Sequence, residues 1–587
     1  MISYRLFQDR LIVSQSEYFL LNKVPLFFRL LAITLGGLHT WAAAMSHSMN
    51  PDGISYLDIG DAYLRGDWQT AINSVWSPLY SWILGPVLYF LAPSMRWEFP
   101  LVQVVNFVIY LIALVCFEYF WRGLRQYHQI STTGPAGEAL MDLPAWMWAT
   151  LGYGLFIWSS LSLIEIWSVT PDMLMAALLY LAAALIVRIR TGNIAWQTFV
   201  ILGFVLGLGY LAKAVMFPLG FVILLITFFS VENGKQAWLR VLVALLVFLL
   251  VSGPFIALIS TIQGELTFSD ASKVTYIRHV AGLSHPHWQG AASGPGTPDH
   301  PSQQILSNPP IYEFAEPIGG TYPISYDPYY WYKGAFTDFS LEKQIITLIE
   351  SSVFYFDLFF RQQGVLLVSV FVLYLTGFWR SLSMADLIRR YGFTVLAVVA
   401  FGMYGLVLAA GRYIGVFVVL FWADLLANIR VRDGQMTQRL STVLGTVMIL
   451  FMLTTIAAFN LEGFSSLISH SKATESAIQS SPPPSWPGEV AEELHHLGVQ
   501  PGDKVAVIGY AFDSFWARLA RVKIVAEMVD VDATAFWLGE PDLQNEVIEA
   551  FASTGAKAIV AEHVPPYVTL RDWHQVGNSN FYIYLTP

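Results

Sequence analysis

Four carboxylates fall in one short stretch, DGISYLDIGDAYLRGDW: Asp52, Asp58, Asp61 and Asp67. A carboxylate can serve as a general base or share a cation, and both uses need acids from separate parts of the chain to converge. Asp52 stands in a Pro-Asp-Gly turn with Tyr56 one helical turn further on. A second acid, Asp172, follows Pro171 in SLIEIWSVTPDMLMAALL, with Glu165 at the other end of the same turn. Solvation or helix capping is the better account of Asp58, Asp61 and Asp67 but not of Asp52, and the helix dipole would favour Asp172 as a first-turn acid. Two cations complement the acids: Lys213 in GYLAKAVMFPLG and Arg412, followed by Tyr413, in AAGRYIGV. An Arg fork and a Lys point charge together suit a phosphate group held at a membrane interface, and snorkelling to lipid headgroups is the competing use. Arg65 and Arg96 are more loosely placed candidates.

Further along, His279, His285, His287 and His300 precede the aromatic tract IYEFAEPIGGTYPISYDPYYWYKG, which contains Tyr330 and Trp331. The histidine spacing offers neither H-E-x-x-H nor a helical i, i+4 pair, so it matches no standard zinc motif. The tract can stack on sugar faces or sit in a headgroup belt. Cys116 is the single cysteine, which excludes an internal disulfide framework and a multi-cysteine metal site.

These residues lie between runs that need lipid as their solvent. Of 587 residues, 55% are hydrophobic and 13% charged, and the mean hydropathy is +0.53. That composition excludes a water-soluble multidomain enzyme and a disordered scaffold. Net charge is −10 and no Lys/Arg block is long enough to track a phosphodiester backbone, which argues against nucleic acid as a partner. Eleven apolar runs read as membrane spans: 24–45, 101–121, 145–163, 173–187, 199–211, 215–229, 241–260, 365–379, 393–410, 414–426 and 443–459. With the N-terminal head (Arg5, Arg10, Lys23) in the cytoplasm, the clusters Arg122/Arg125, Arg188/Arg190, Lys235/Arg240, Arg380/Arg389/Arg390 and Arg430/Arg432/Arg439 all fall on the cytoplasmic side. That distribution obeys the positive-inside rule. It sends Asp52, Asp172, Lys213 and Arg412 to the outer side, with the first outer loop 46–100, the long loop 261–364 and the tail after 460. Segments 75–92 and 341–360 are expected to be interfacial or re-entrant, the second because its apolar and charged residues take opposite helix faces.

A membrane module over 1–460 would thus be followed by a Pro/Ser-rich linker, 471–487, and a soluble α/β domain, 488–587. Helices are expected at 489–497, 512–519 and 543–553, and strands at 505–508, 522–525, 558–560 and 581–585. The single glycine of Gly509-Tyr510-Ala511-Phe512 is no dinucleotide fingerprint.

The acid after the first span, the loop DGISYLDIGDAYLRGDW with SPLYSWILGP, TPDMLMAALLYLA, GLGYLAKAVMFPLG and GRYIGVFVVLFWADLL together resemble the GT-C superfamily of polyprenyl-phosphate-dependent glycosyltransferases. In layout the chain is similar to bacterial aminoarabinose transferases and protein O-mannosyltransferases. The resemblance implies a polytopic helical membrane fold with a small extracytoplasmic α/β domain, in the bacterial cytoplasmic membrane. It implies sugar transfer from a polyprenyl-phosphate donor to a lipid, glycan or protein acceptor, with inversion. Asp52 would be the catalytic acid and Asp172 the second acid, with Lys213 and Arg412 on the donor phosphate. Tyr56, Asp58, Glu165, Tyr330, Trp331 and Tyr413 would contact substrates, and a divalent cation stays open because Asp52-Gly53 stands where many members carry paired acids. Two other classes remain at this point: a transporter or flippase coupled through outer carboxylates, and a structural membrane protein whose outer module recruits partners.

Overall fold

The computed structural model describes residues 15–132, 144–283, 287–290, 296–314, 319–336, 338–376, 383–429, 434–476, 486–562, 564–565 and 572–587. Arg5, Arg10, His285, Arg380, Arg430, Arg432 and positions 477–485 of the expected linker lie outside these residues.

Each of the eleven apolar runs contains a helix among the described residues, and the chain is a polytopic helical membrane protein. Among the described residues five helices are long and apolar enough to cross a bilayer: Val24–Ser46, Met95–Ile130, Asp172–Arg190, Gly234–Gln263 and Gln435–Ala457. The other runs form shorter helices, among them Trp196–Ala212, Met216–Ser230, Gly392–Gly405 and Gly411–Ala427. Their shortness has a use. The joints before Asp172, around Lys213 and before Arg412 are the non-helical stretches between them, and irregular backbone at membrane depth is tolerated where it is buried in protein or lines a cavity. Aliphatic and aromatic side chains left outside the bundle, such as Val115, Leu250 and Phe371, are exposed on helices and face where lipid would lie.

Segment 75–92 is a helix, Pro78–Leu91, closed by Ala92 in the left-handed region at φ 40°. It packs on helix Pro51–Leu64, where a Cβ on Gly60 would stand 3.1 Å from the Gly85 Cα. Segment 341–360 begins as helix Leu341–Phe356 and, with its extension to Gln362, is bent 76° against helix Gly364–Leu375. Its Thr347 and Ser351 are buried while Ile345, Ile349 and Val353 are exposed, so the apolar face points away from the protein.

The tail forms an α/β layer close to that read from sequence, with helices Pro487–His496, Phe515–Ala520 and Pro541–Ser553. It also has a helix, Asp530–Trp537, to which the sequence reading assigned nothing. Its strands are β3 (Lys504–Ile508), β4 (Lys523–Met528), β5 (Ala558–Ala561), β6 (His574–Gln575) and β7 (Tyr582–Leu585). Two further strands come from the long loop: β1 (Gln303–Ser307) and β2 (Pro310–Glu313). Together they make one seven-stranded sheet, β1-β2-β4-β3-β5-β7-β6, parallel only where β3 runs between β4 and β5. Where loop and tail join, buried His287 meets Glu527, which also accepts a 2.8 Å bond from the Tyr322 hydroxyl. Val490, Leu494, Phe515 and Trp516 belong to the same hydrophobic core as the membrane helices.

Candidate functional site

A cavity of about 610 Å³ opens at one end of the bundle, and Asp52, Asp172, Lys213 and Arg412 all line it. Asp52 is the second residue of helix Pro51–Leu64, a first-turn position that suits an acid. Asn50 fixes that turn to the loop ahead of Asp172: its side chain accepts from Val169 N at 2.9 Å and donates to Val169 O at 3.3 Å. The approach is close enough that a Cβ on Gly53 would lie 2.7 Å from the Val169 Cβ. Glycine at 53, where an acid would otherwise double Asp52, is therefore what the packing requires.

Each acid meets a cation. The Arg412 guanidinium lies 2.9 Å from the Asp52 carboxylate and donates to the Tyr413 hydroxyl at 3.2 Å. Lys213, at the end of helix Trp196–Ala212, donates to the buried Asp172 carboxylate. The Lys213 ammonium also sits 4.0 Å from the centre of the Tyr413 ring, a cation–π contact that places Tyr413 between the two pairs. Tyr404 stacks on that ring at 5.2 Å. Pairing of this kind replaces snorkelling as the account of both cations. Tyr56 lines the same wall edge-on to Trp76 and Tyr80, and burial holds its phenol well above the ordinary range, so it stays a neutral hydroxyl.

Other expected contacts lie elsewhere. Asp58 is turned away from the cavity. It is buried and accepts from Arg518 at 2.7 Å, Thr321 N at 2.6 Å and the Thr321 hydroxyl at 3.1 Å, so its oxygens are already occupied. Glu165 is exposed in a left-handed turn at φ 57° and does not line the cavity. Tyr330 stacks on His300 at 3.9 Å, while Trp331 is buried edge-on to Phe314, and neither reaches the cavity wall. Arg65 and Arg96 are exposed away from it. Among the described residues no three His, Cys, Asp or Glu side chains group to hold a metal ion. Asp52 and Asp172 each face a cation where a metal site would need another ligand.

The sequence reading missed Trp76, Tyr404, Arg278, Tyr510 and Phe512, all on the cavity wall. The last two come from the tail, in the Gly509–Phe512 loop set aside above as no cofactor motif. No local pattern marks them, because their position depends on the tail folding back over the bundle.

No family model matches the chain, and no curated protein matches it. Among solved structures it is similar to ArnT from Cupriavidus metallidurans bound to undecaprenyl phosphate. That likeness has 10% identity and a TM-score of 0.49, covering 95% of this chain and 97% of the other. The apo form of the same ArnT gives 10% identity and a TM-score of 0.48, over 94% and 97%. At that level a likeness assigns neither substrate nor activity, and those must come from the site itself.

Proposed function

We propose that the protein is a membrane glycosyltransferase that moves a sugar from a polyprenyl-phosphate donor to a hydroxyl of a lipid, glycan or protein acceptor. The supporting observation is the alternation Asp52–Arg412 and Asp172–Lys213 around Tyr413, inside one cavity at the bundle end. Transfer between a lipid-borne phosphate and a hydroxyl needs a base next to a cationic clamp, at a depth that lipid and water can both reach.

In this reading the acceptor oxygen attacks the anomeric carbon while Asp52 takes its proton. The new C–O bond forms as the bond to the phosphate oxygen breaks, and the electron pair leaves with the polyprenyl phosphate. Attack opposite the leaving group inverts the anomeric carbon. Arg412 has donors beyond those given to Asp52 and Tyr413, and these with Lys213 meet the charge that develops on the leaving phosphate. Asp172 holds Lys213 in place and keeps the empty site close to neutral. We assign the cavity to the extracytoplasmic face, with the N-terminus in the cytoplasm, as the distribution of basic residues suggests. An activated sugar on that face must arrive on a carrier, because sugar nucleotides stay in the cytoplasm.

Purified protein in lipid nanodiscs with radiolabelled polyprenyl-phosphate sugar and an extract of membrane glycolipids is the direct test. The expected result is label on an acceptor and free polyprenyl phosphate, with Asp52→Asn inserting normally and losing transfer. Full transfer by Asp52→Asn, or no cleavage of the carrier bond by the wild type, would overturn the reading.

A further inference from the structure

Part of the cavity wall lies outside the catalytic quartet. There the wall is made by Arg278 and His279 of the long loop and by Tyr510 and Phe512 of the tail. Arg278 differs from Lys213 and Arg412 in one respect: among the described residues no carboxylate lies within ion-pairing distance of it. Its guanidinium carbon is 5.9 Å from the Phe512 ring centre, and it is only half-buried. A guanidinium facing a cavity without an acid is a site for an incoming anion.

The two aromatic rings beside it are built in. Tyr510 and Phe512 lie 5.5 Å apart and tilted by 32°. Phe512 is held edge-on by Tyr322 at 5.0 Å, and Tyr322 is anchored in turn by its bond to Glu527 of β4. The loop leaves β3 at Gly509, whose φ of 146° favours glycine. It therefore stands at the carboxyl end of the one strand with parallel neighbours on both sides, where ligands gather in α/β sheets. Tyr510 keeps 52% of its surface exposed, an open ring face beside an unpaired cation.

We infer that this part of the wall, Arg278 with Tyr510 and Phe512, is the acceptor subsite, and that it takes an acidic saccharide. A carboxylate or phosphate of that saccharide would lie on Arg278, and a sugar ring on Tyr510 and Phe512. The inference rests on the transferase reading, since another hydroxyl of the same molecule is then presented to Asp52. The volume of about 610 Å³ sits within the range of roughly 300–1,000 Å³ typical of small-ligand sites, room for donor sugar and acceptor ring together. It also gives the tail a task, completing the site from outside the membrane helices.

A matched set of probes tests this on the full chain in nanodiscs by saturation-transfer NMR: cellobiose, cellobiouronic acid and cellobiose 6′-phosphate. We expect one or both acidic sugars to bind about tenfold more tightly than cellobiose, and the stronger arm tells carboxylate from phosphate. Arg278→Gln should erase the preference, Arg278→Lys should restore part of it, and Tyr510→Ala should weaken all three sugars. Thermal melting of each variant identifies one that has merely unfolded, and the Tyr510→Ala and Arg278→Lys arms then carry the test. Equal binding of the three sugars by the wild type overturns the inference, as does an acidic preference that survives Arg278→Gln. So does an acidic peptide bound as tightly as the acidic sugars and unaffected by Tyr510→Ala. Wild-type binding of polyprenyl phosphate is read in parallel. If it is absent while the acidic preference holds, the transferase reading and the acceptor role fall together and only an acidic-saccharide binding site is left; if it is present without the preference, the subsite alone falls.

Discussion

Arg412 and Lys213 are not equivalent, although both are paired cations in one cavity. Arg412 shares a partly open ion pair with Asp52 and keeps donors free, whereas Lys213 is tied to a buried acid and an aromatic ring. Arg412→Gln should therefore slow transfer by a few hundred-fold, since one lost donor to a developing oxyanion is worth about 2.7–4 kcal/mol of barrier. Arg412→Lys should recover part of that, keeping charge but losing the fork. Single-turnover rates with equal amounts of inserted protein measure this, and a rate unchanged in Arg412→Gln would remove the residue from the mechanism. Asp424, a buried acid of helix Gly411–Ala427, accepts two bonds from Thr394 and lies 3.9 Å from Arg190. With its partners fixed within the protein, it gives no support to a transporter.

Asp327 makes a prediction about pH. Burial, with Asp270 nearby, pushes its carboxyl up to about 6 from the ordinary 3.8. The folded state thus resists ionising it. Its unfavourable contribution is absent below pH 3.8 and fully present above 6, so stability attributable to this group falls as pH rises between those values. Asp327→Asn keeps an oxygen for the 3.3 Å bond from Tyr330 N. It should flatten the fall and raise the melting temperature at pH 7, and a melting series from pH 4 to 7 would read both.

At the scale of elements, the site depends on two short helices lying unusually close. Helices Pro51–Leu64 and Pro78–Leu91 meet at Gly60 and Gly85, where each added Cβ would find backbone atoms of the other helix at 3.0–3.2 Å. Backbone cannot yield as a side-chain tip can. Gly60→Ala should destabilise by about 1–3 kcal/mol through overpacking, and should also lower transfer by tilting the helix whose first turn carries Asp52. Thermal unfolding and activity together check it, and normal values for both would show that the contact is slack. The hydropathy pattern marks the helices of the eleven apolar runs because burial in lipid leaves a strong signal, whereas Pro51–Leu64 falls in a stretch read as outer loop. The ends of the run helices were harder to read, since the joints at 164–171, 213–215 and 406–410 are set by contacts across the bundle.

At the scale of the whole molecule, one arginine fastens the tail to the membrane helices. Arg518 is buried with its guanidinium 2.7 Å from Asp58, 2.6 Å from Asp61 and 3.1 Å from Glu98. Arg521 adds a second contact to Glu98 at 2.5 Å. Three acids gathered by one buried cation leave uncompensated charge when it is removed. Arg518→Met should therefore destabilise by about 3–5 kcal/mol and expose the tail to protease. Adding Asp58→Asn and Glu98→Gln should return part of the loss, whereas equal protease resistance of Arg518→Met and the wild type would mean that the tail docks by its apolar contacts alone.

The sequence by itself determined the solvent of most of the chain, the helical spans, the α/β character of the tail and four polar residues at helix ends. Each of these follows from local composition, from the high free energy of charge in lipid, or from turn chemistry within a few residues. Tertiary structure alone decided which acid pairs with which cation and that Asp58 belongs to a buried ion cluster. It also decided that β1 and β2 complete the tail's sheet and that Tyr510 and Phe512 reach the cavity. Those outcomes depend on segments hundreds of residues apart meeting, and no property of either segment alone specifies its partner.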